Sequence, residues 1–177
     1  MKTTTGKATR SEQEFLEASR IFLRDDFMPR MRHCLHQFSE ADLWWRPNET
    51  SNSAGNLVLH LSGNLRQWIL EALGGIPSHR DRDAEFAARG PMPKAELIAK
   101  LESAVNGVVS MLEDFDATRL LQRHQIQKYD VSAQQAIYHV VEHFSYHLGQ
   151  IIYIYKLRTG VDPNFYAALS ATKNDPL

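Results

Sequence analysis

Between Ser132 and Gly160 the chain carries the start and the stop of one long helix, and this stretch narrows the possible folds more than any other. Ser132 is a good N-cap, Gly160 a helix terminator, and Pro163 lies just beyond. Inside it, Val140, Phe144, Leu148, Ile151 and Tyr155 recur at threes and fours, an apolar arc on a helix running to about Arg158. An arc of that length needs partners of similar length to cover it.

Three other segments supply them. From Ser11 onward Phe15, Leu16, Ser19, Phe22, Leu23, Phe27, Met31, Cys34, Leu35 and Phe38 keep helical spacing, and Ser11 with Glu14 has the spacing of a capping box. Pro29 should kink or break that run. A second helix is expected from near Ser53 to Leu73, ended by Gly74 and Gly75. A third is expected from Lys94 to Phe115, with Leu97, Ile98, Leu101, Val105, Val108 and Leu112 inward. The polar stretch 39–56 holds Pro47 and two tryptophans, Trp44 and Trp45, that plug its ends into the core. Residues 76–93 form a charged loop, whose default is a solvated surface and whose position also suits a lid or a partner contact. Residues 116–132 are ambiguous: "HQIQKY" alternates like a strand, yet no convincing strand pair or repeat is visible. "NFYAALS" (164–170) could form a short docking helix. The prediction is an all-α four-helix bundle over residues 11–177, after a flexible tail at 1–10. Its first and third connections are long enough to cross an end of the bundle, so simple up-and-down order does not follow.

Composition excludes several function classes. The formal net charge is -1, and no basic cluster is interleaved with aromatics, which argues against nucleic acid as a partner. No stretch approaches the roughly 18 apolar residues a membrane span needs, and no apolar leader opens the chain, so a cytoplasmic location is expected. Cys34 is the single cysteine, which rules out an internal disulfide and a cysteine-rich zinc motif; lying among apolar residues, it is expected to be inert.

The chain has eight histidines, and three of them stand at intervals of four in "HVVEHFSYHLG": His139, His143 and His147. Steps of four drift only ~40°, so the three share a stripe about 80° wide beside the apolar arc. Gln150 falls back within it. Two histidines at i and i+4 can reach one metal ion, but His139 and His147 lie ~12 Å apart along the axis and cannot easily share one. The pair is therefore 139/143 or 143/147. His60, mid-helix between Leu59 and Leu61, is the attractive third ligand, since a core imidazole needs a partner. Asn56 and Asn64, one turn to either side, could orient its ring or touch a ligand. Imidazole suits zinc, nickel, iron or copper. The plainer reading is a structural histidine bonded across the bundle. His33, His36, His79 and His124 lie in polar or loop contexts and are expected at the surface. Arg46, after two tryptophans, is a surface cation or an anion contact. Glu142 and Tyr146 are phased toward the stripe's edge.

"HVVEHFSYHLGQI" (139–151) resembles the C-terminal signature of the DinB/YfiT-like superfamily, in which H-x-x-x-H is followed by Gly-Gln. "SNSAGNLVLHLSGNLRQWI" (51–69), "WWRP" and "RDRDAEF" are similar to one subfamily of it, in the expected order, over about residues 15 to 158. The resemblance implies a four-helix bundle, usually dimeric, holding a divalent metal (Zn, Ni or Fe) through His60, His143 and His147. Leu148 stands where an arginine or similar residue usually follows the last ligand, a departure on the substrate side. Characterised relatives include bacillithiol- or mycothiol-dependent transferases and isomerases, and others have been proposed as metal-dependent hydrolases.

The expected function is thus a metal-dependent enzyme acting on a small-molecule substrate. It would be a transferase using a low-molecular-weight thiol, or a hydrolase. The alternative is a metal-binding or stress-response bundle without turnover. No dedicated general base is evident beside the ligands, which favours the thiol version. Asn64, Gln150, Arg46, His139 and Tyr146 are the polar groups expected around the open side.

Overall fold

A computed structural model describes residues 7–167 of the chain. The first helical run begins at α1 (Arg10–Ile21), widens through a π-helical turn (Phe22–Phe27) and continues as α2 (Met28–Gln37). Its N-cap is Thr9, boxed with Glu12, two residues before the expected Ser11 and Glu14. Pro29 neither ends nor breaks the run. It sits in the first turn of α2, where the widened turn before it absorbs the missing N–H. A short α3 (Glu40–Leu43) interrupts the polar connection. Next come α4 (Ala54–Leu65) with a second π-helical turn (Arg66–Glu71), then α5 (Arg82–Ala87), α6 (Lys94–Glu113) and α7 (Ala133–Thr159). Ser132 caps α7 in a box with Gln135, and Gly160 ends it in the left-handed conformation at φ 69°.

The four long runs form the expected bundle. The α1–α2 run and α4 each pack against both α6 and α7, so those two runs lie diagonally opposite, as do α6 and α7. The first and third connections therefore cross the bundle, as their lengths suggest. Phe38, Phe144, Met31, Leu57, Leu61 and Leu101 are among the fully buried side chains of the core. α4 is buried on nearly every side from Ala54 to Ser62, because α5 and the 44–53 loop cover the side that α6 and α7 leave open. That is why "NLVLHL" is apolar all round and not striped.

Two expectations need correction. Residues 123–132 form an antiparallel hairpin, β1 (Arg123–Ile126) and β2 (Tyr129–Ser132), with Arg123 opposite Ser132 and Ile126 opposite Tyr129. The alternation in "HQIQKY" was a true strand signal; its partner was hidden because β2 runs directly into the cap of α7. The charged segment 76–93 is not simply a solvated loop either, since α5 lies against α4 and the Arg80 and Glu85 side chains are almost wholly covered there. Residues 1–6 of the expected tail and 168–170 of the expected docking helix lie outside the described residues. Within the latter, Phe165 packs on the ring of His33. Among the described residues no helix is long and apolar enough to cross a membrane.

Candidate metal centre

His60 stands in the middle of α4, which Ser53 and Asn56 cap reciprocally. Asn56 also does a second job: its amide nitrogen donates to the carbonyls of Glu85 and Ala88, each at 2.9 Å. It thereby satisfies carbonyls at the end of α5 and fixes that helix against α4. Across from His60, α7 presents His143 and His147 one turn apart. One ring nitrogen from each of His60, His143 and His147 lies within 4.8 Å of the other two. His60 and His147 are buried, and His143 is half-buried. The adjacent packing of α4 and α7 thus brings together 60, 143 and 147, and leaves 139 one turn away.

Hydrogen bonds fix which nitrogen of each ring faces inward. Nδ1 of His147 lies 2.7 Å from Oε1 of Gln150. An amide oxygen only accepts, so Nδ1 carries the proton and Nε2 keeps its lone pair. That Nε2 is buried and has no partner among the described residues. Nδ1 of His60 lies 3.1 Å from Oε2 of Glu85 and 3.0 Å from Nη2 of Arg80. Nη2 has other acceptors, Glu85 Oε2 at 2.9 Å and the His60 carbonyl at 3.5 Å. The carboxylate accepts only, so the His60 proton belongs on Nδ1 and its Nε2 also faces inward as a lone pair. Nε2 of His143 sits 2.9 Å from it and, without an ion, donates there. An ion at this point would require only that His143 shift its proton to Nδ1.

The electrostatics agree. Burial, then the neighbouring His147, His60 and His139 rings and Arg80, push His143 down to about 3. Burial also lowers His147, against the opposing hydrogen bond to Gln150. Burial opposes ionisation of Glu85, but hydrogen bonds from Arg80 and His60 outweigh it and hold its carboxyl below the usual range. His143 and His147 are therefore neutral imidazoles at physiological pH, beside a charge-balanced Arg80–Glu85 pair.

Three imidazoles with converging Nε2 atoms, that of His147 orphaned in the interior, fit a divalent ion. An unpartnered buried acceptor is costly without one. His60, His143 and His147 would hold it. Three protein ligands leave a coordination position open, the pattern of reactive rather than closed structural sites.

The other anticipated residues divide. Gln150 touches the cluster directly, and the ring of Tyr146 lies 5.1 Å from that of His147. His139 is sandwiched between Trp68, at 4.1 Å, and His143, at 5.1 Å, and accepts a 3.4 Å hydrogen bond from Asn64. Asn64 therefore reaches His139 and not His60. The π-helical turn after α4 brings Trp68 there by burying three consecutive residues, Trp68, Ile69 and Leu70. Arg46 is spent on Glu49, at 3.3 Å. Arg80, Glu85 and Phe86 were not anticipated. The Phe86 ring lies 4.6 Å from that of His60, and Arg80 is held by two bonds to Glu85 and one to Gln67. Gly63 makes room for this pair, since a Cβ there would overlap the Glu85 carboxylate. The available signal was an aromatic at the end of a charged run, "RDRDAEF", which begins nine residues after the α4 run ends at Glu71.

A family model described as a protein of unknown function (DUF1572) matches residues 11–175. The chain belongs to this DUF1572 family. Its fold is DinB-like. A DinB-like protein from Bacillus cereus ATCC 10987 superposes with a TM-score of 0.60 at 13% identity, covering 79% of this chain and 91% of that one. A conserved protein from Enterococcus faecalis superposes with a TM-score of 0.59 at 19% identity, covering 88% of this chain and 99% of that one. No curated protein matches the sequence. At such identities the superpositions speak for the fold alone, and the chemistry rests on the site.

Proposed function

We propose that this DUF1572 protein is a divalent-metal enzyme of the thiol-dependent transferase type. It would bind zinc, nickel or iron through His60, His143 and His147 and act on a small electrophile with a low-molecular-weight thiol. The observation that supports this most is the inward Nε2 of His147, buried without a partner beside the rings of His60 and His143. When bound, such an ion supplies positive charge that lowers the pKa of a thiol or a water at its open position. Because the ligand set is neutral, that charge is not cancelled by the protein.

The chain's own residues prepare this site. Glu85 and Gln150 hold the Nδ1 protons of His60 and His147, so both rings keep their lone pairs inward. Phe86 packs on the His60 ring, and Trp68 packs on His139 one turn from the ligands. Hydrolysis would also need a base to take a proton from water. Glu85 lies on the outer, Nδ1 side of His60 and is bound by Arg80, so it is poorly placed for that task. A thiol, with an ordinary pKa of about 8.5, needs less help, which favours transfer over hydrolysis.

The test is turnover by metal-loaded protein on a matrix of small thiols and electrophiles, with esters and amides in parallel. Thiol-dependent loss of electrophile that vanishes in His147→Ala is expected. Ester or amide cleavage without thiol would make the protein a hydrolase. Stoichiometric metal with no turnover would leave a non-catalytic metal-binding protein.

A further inference from the structure

One side of α7 borders a cavity of about 570 Å³ that the metal reading does not use. Trp45, Pro47 and Asn52 of the loop before α4 face Tyr146, Gln150 and Tyr153 of α7 across it, over an apolar floor that includes Leu57 and Ile154. The volume is that of a small-molecule site. Among the described residues, none of the side chains lining it carries a charge. Arg46, within this loop, is already paired with Glu49, and Arg158, which stacks on Trp45, is paired with Asp42 at 2.7 Å. A charged ligand would give up hydration here and find no counter-charge. Three aromatic side chains and an apolar floor suit a flat ring system.

The cavity is also connected to the histidines. Gln150 lines it, and its oxygen accepts the Nδ1 proton of His147. The NH₂ of the same amide has no partner among the described residues and is free to donate to a ligand oxygen. Tyr146 likewise lines the cavity and lies against His147.

We propose that this cavity is a binding site for an uncharged aromatic molecule, held beside His147 by Gln150 and Tyr146. Its role as the seat of the electrophile rests on the metal reading; the binding site itself does not. The test therefore starts with metal-free protein and two fluorescent probes of one skeleton, neutral N-phenylnaphthylamine and anionic anilinonaphthalene sulfonate. The neutral probe should bind at least about tenfold more tightly, a difference of about 1.4 kcal/mol. Gly149 lines the cavity, and a Cβ there meets nothing within 4 Å, so Gly149→Trp should fill the site without disturbing the fold. That variant should lose probe binding at least about tenfold with unchanged melting temperature, while Tyr138→Trp, away from the cavity lining, should bind as wild type. Equal affinity for both probes, or full binding in Gly149→Trp, overturns the proposal. In cobalt(II)-loaded protein the probe should shift the visible spectrum of the ion; an unchanged spectrum would overturn the connection through Gln150. If cobalt does not bind at all, the metal reading fails and the cavity is judged on the probes alone.

Discussion

Glu85→Gln removes one negative charge from the group that holds His60 while leaving an oxygen able to accept the Nδ1 proton. In the native fold the Arg80 and Glu85 side chains are only 3% and 10% exposed and meet at 2.8 Å. Taking away one partner of a buried pair costs about 3–5 kcal/mol, chiefly because the other charge is stranded. Glutamine retains part of the hydrogen bonding, so about 3 kcal/mol is expected, and Glu85→Ala should lie nearer 5. Metal affinity should fall as well, by about 10- to 100-fold, because His60 loses the carboxylate that orients it and raises its basicity. The double variant Arg80→Met, Glu85→Gln separates the two effects. It leaves no stranded charge, so stability should return toward wild type, whereas metal affinity should not. Stability is read by denaturant unfolding of metal-free protein, and affinity by competition titration with zinc. Wild-type zinc affinity in Glu85→Gln would refute the orienting role. Recovery of affinity along with stability in the double variant would show that the pair only supports the fold.

Four further outcomes follow from the same geometry. The unfolded chain protonates its histidines near pH 6.5, whereas His143 stays neutral down to about 3; between these values the unfolded state binds more protons, so stability is full above ~6.5 and falls as pH drops, by up to about 1.4 kcal/mol per unit for this one ring. Unfolding midpoints of metal-free protein that stay level from about pH 7 to about pH 4 would contradict this, and His143→Gln should flatten the decline. Gln150→Leu removes the acceptor for His147 Nδ1 and should weaken zinc binding by about 10- to 100-fold in the same titration, with stability changed by no more than about 1.5 kcal/mol. Phe144→Ala empties a fully buried site on α7 and should cost about 3–5 kcal/mol by chemical denaturation. Cys34 is buried, and burial pushes its thiol up to about 12, so a thiol reagent should label it only in denaturant; rapid labelling of native protein would count against the packing described.

The helices were legible because each advertises its ends or its period. Ser132 and Gly160 bound α7 where a cap and a left-handed residue are needed, whereas α6 is marked by its apolar period, since Pro93 makes no side-chain cap and Asp114 ends it outside the left-handed region. The Ser11 box failed because Thr9 and Glu12 offer the same chemistry two residues earlier. Spacing along α7 also limits the ligands, since the helical rise keeps His139 and His147 from one ion. It cannot say which adjacent pair α4 will face; the family resemblance pointed to 143 and 147, and the packing of α4 on α7 brings these two to His60. The buried Arg80–Glu85 pair was not legible. A charged segment reads as solvated unless something removes it from water, and here that is tertiary: Asn56 pins α5, and Gly63 leaves space for the carboxylate. The hairpin was half visible for a similar reason, because its second strand ends in a helix cap.

The most direct test of the central claim is a zinc titration of metal-free protein with elemental analysis after dialysis, repeated on His60→Ala, His143→Ala and His147→Ala. One tightly held ion per chain is predicted, with thermal stabilisation on binding and loss of the ion in each variant. No stoichiometric binding, or binding that survives all three substitutions combined, would contradict a metal centre at these histidines.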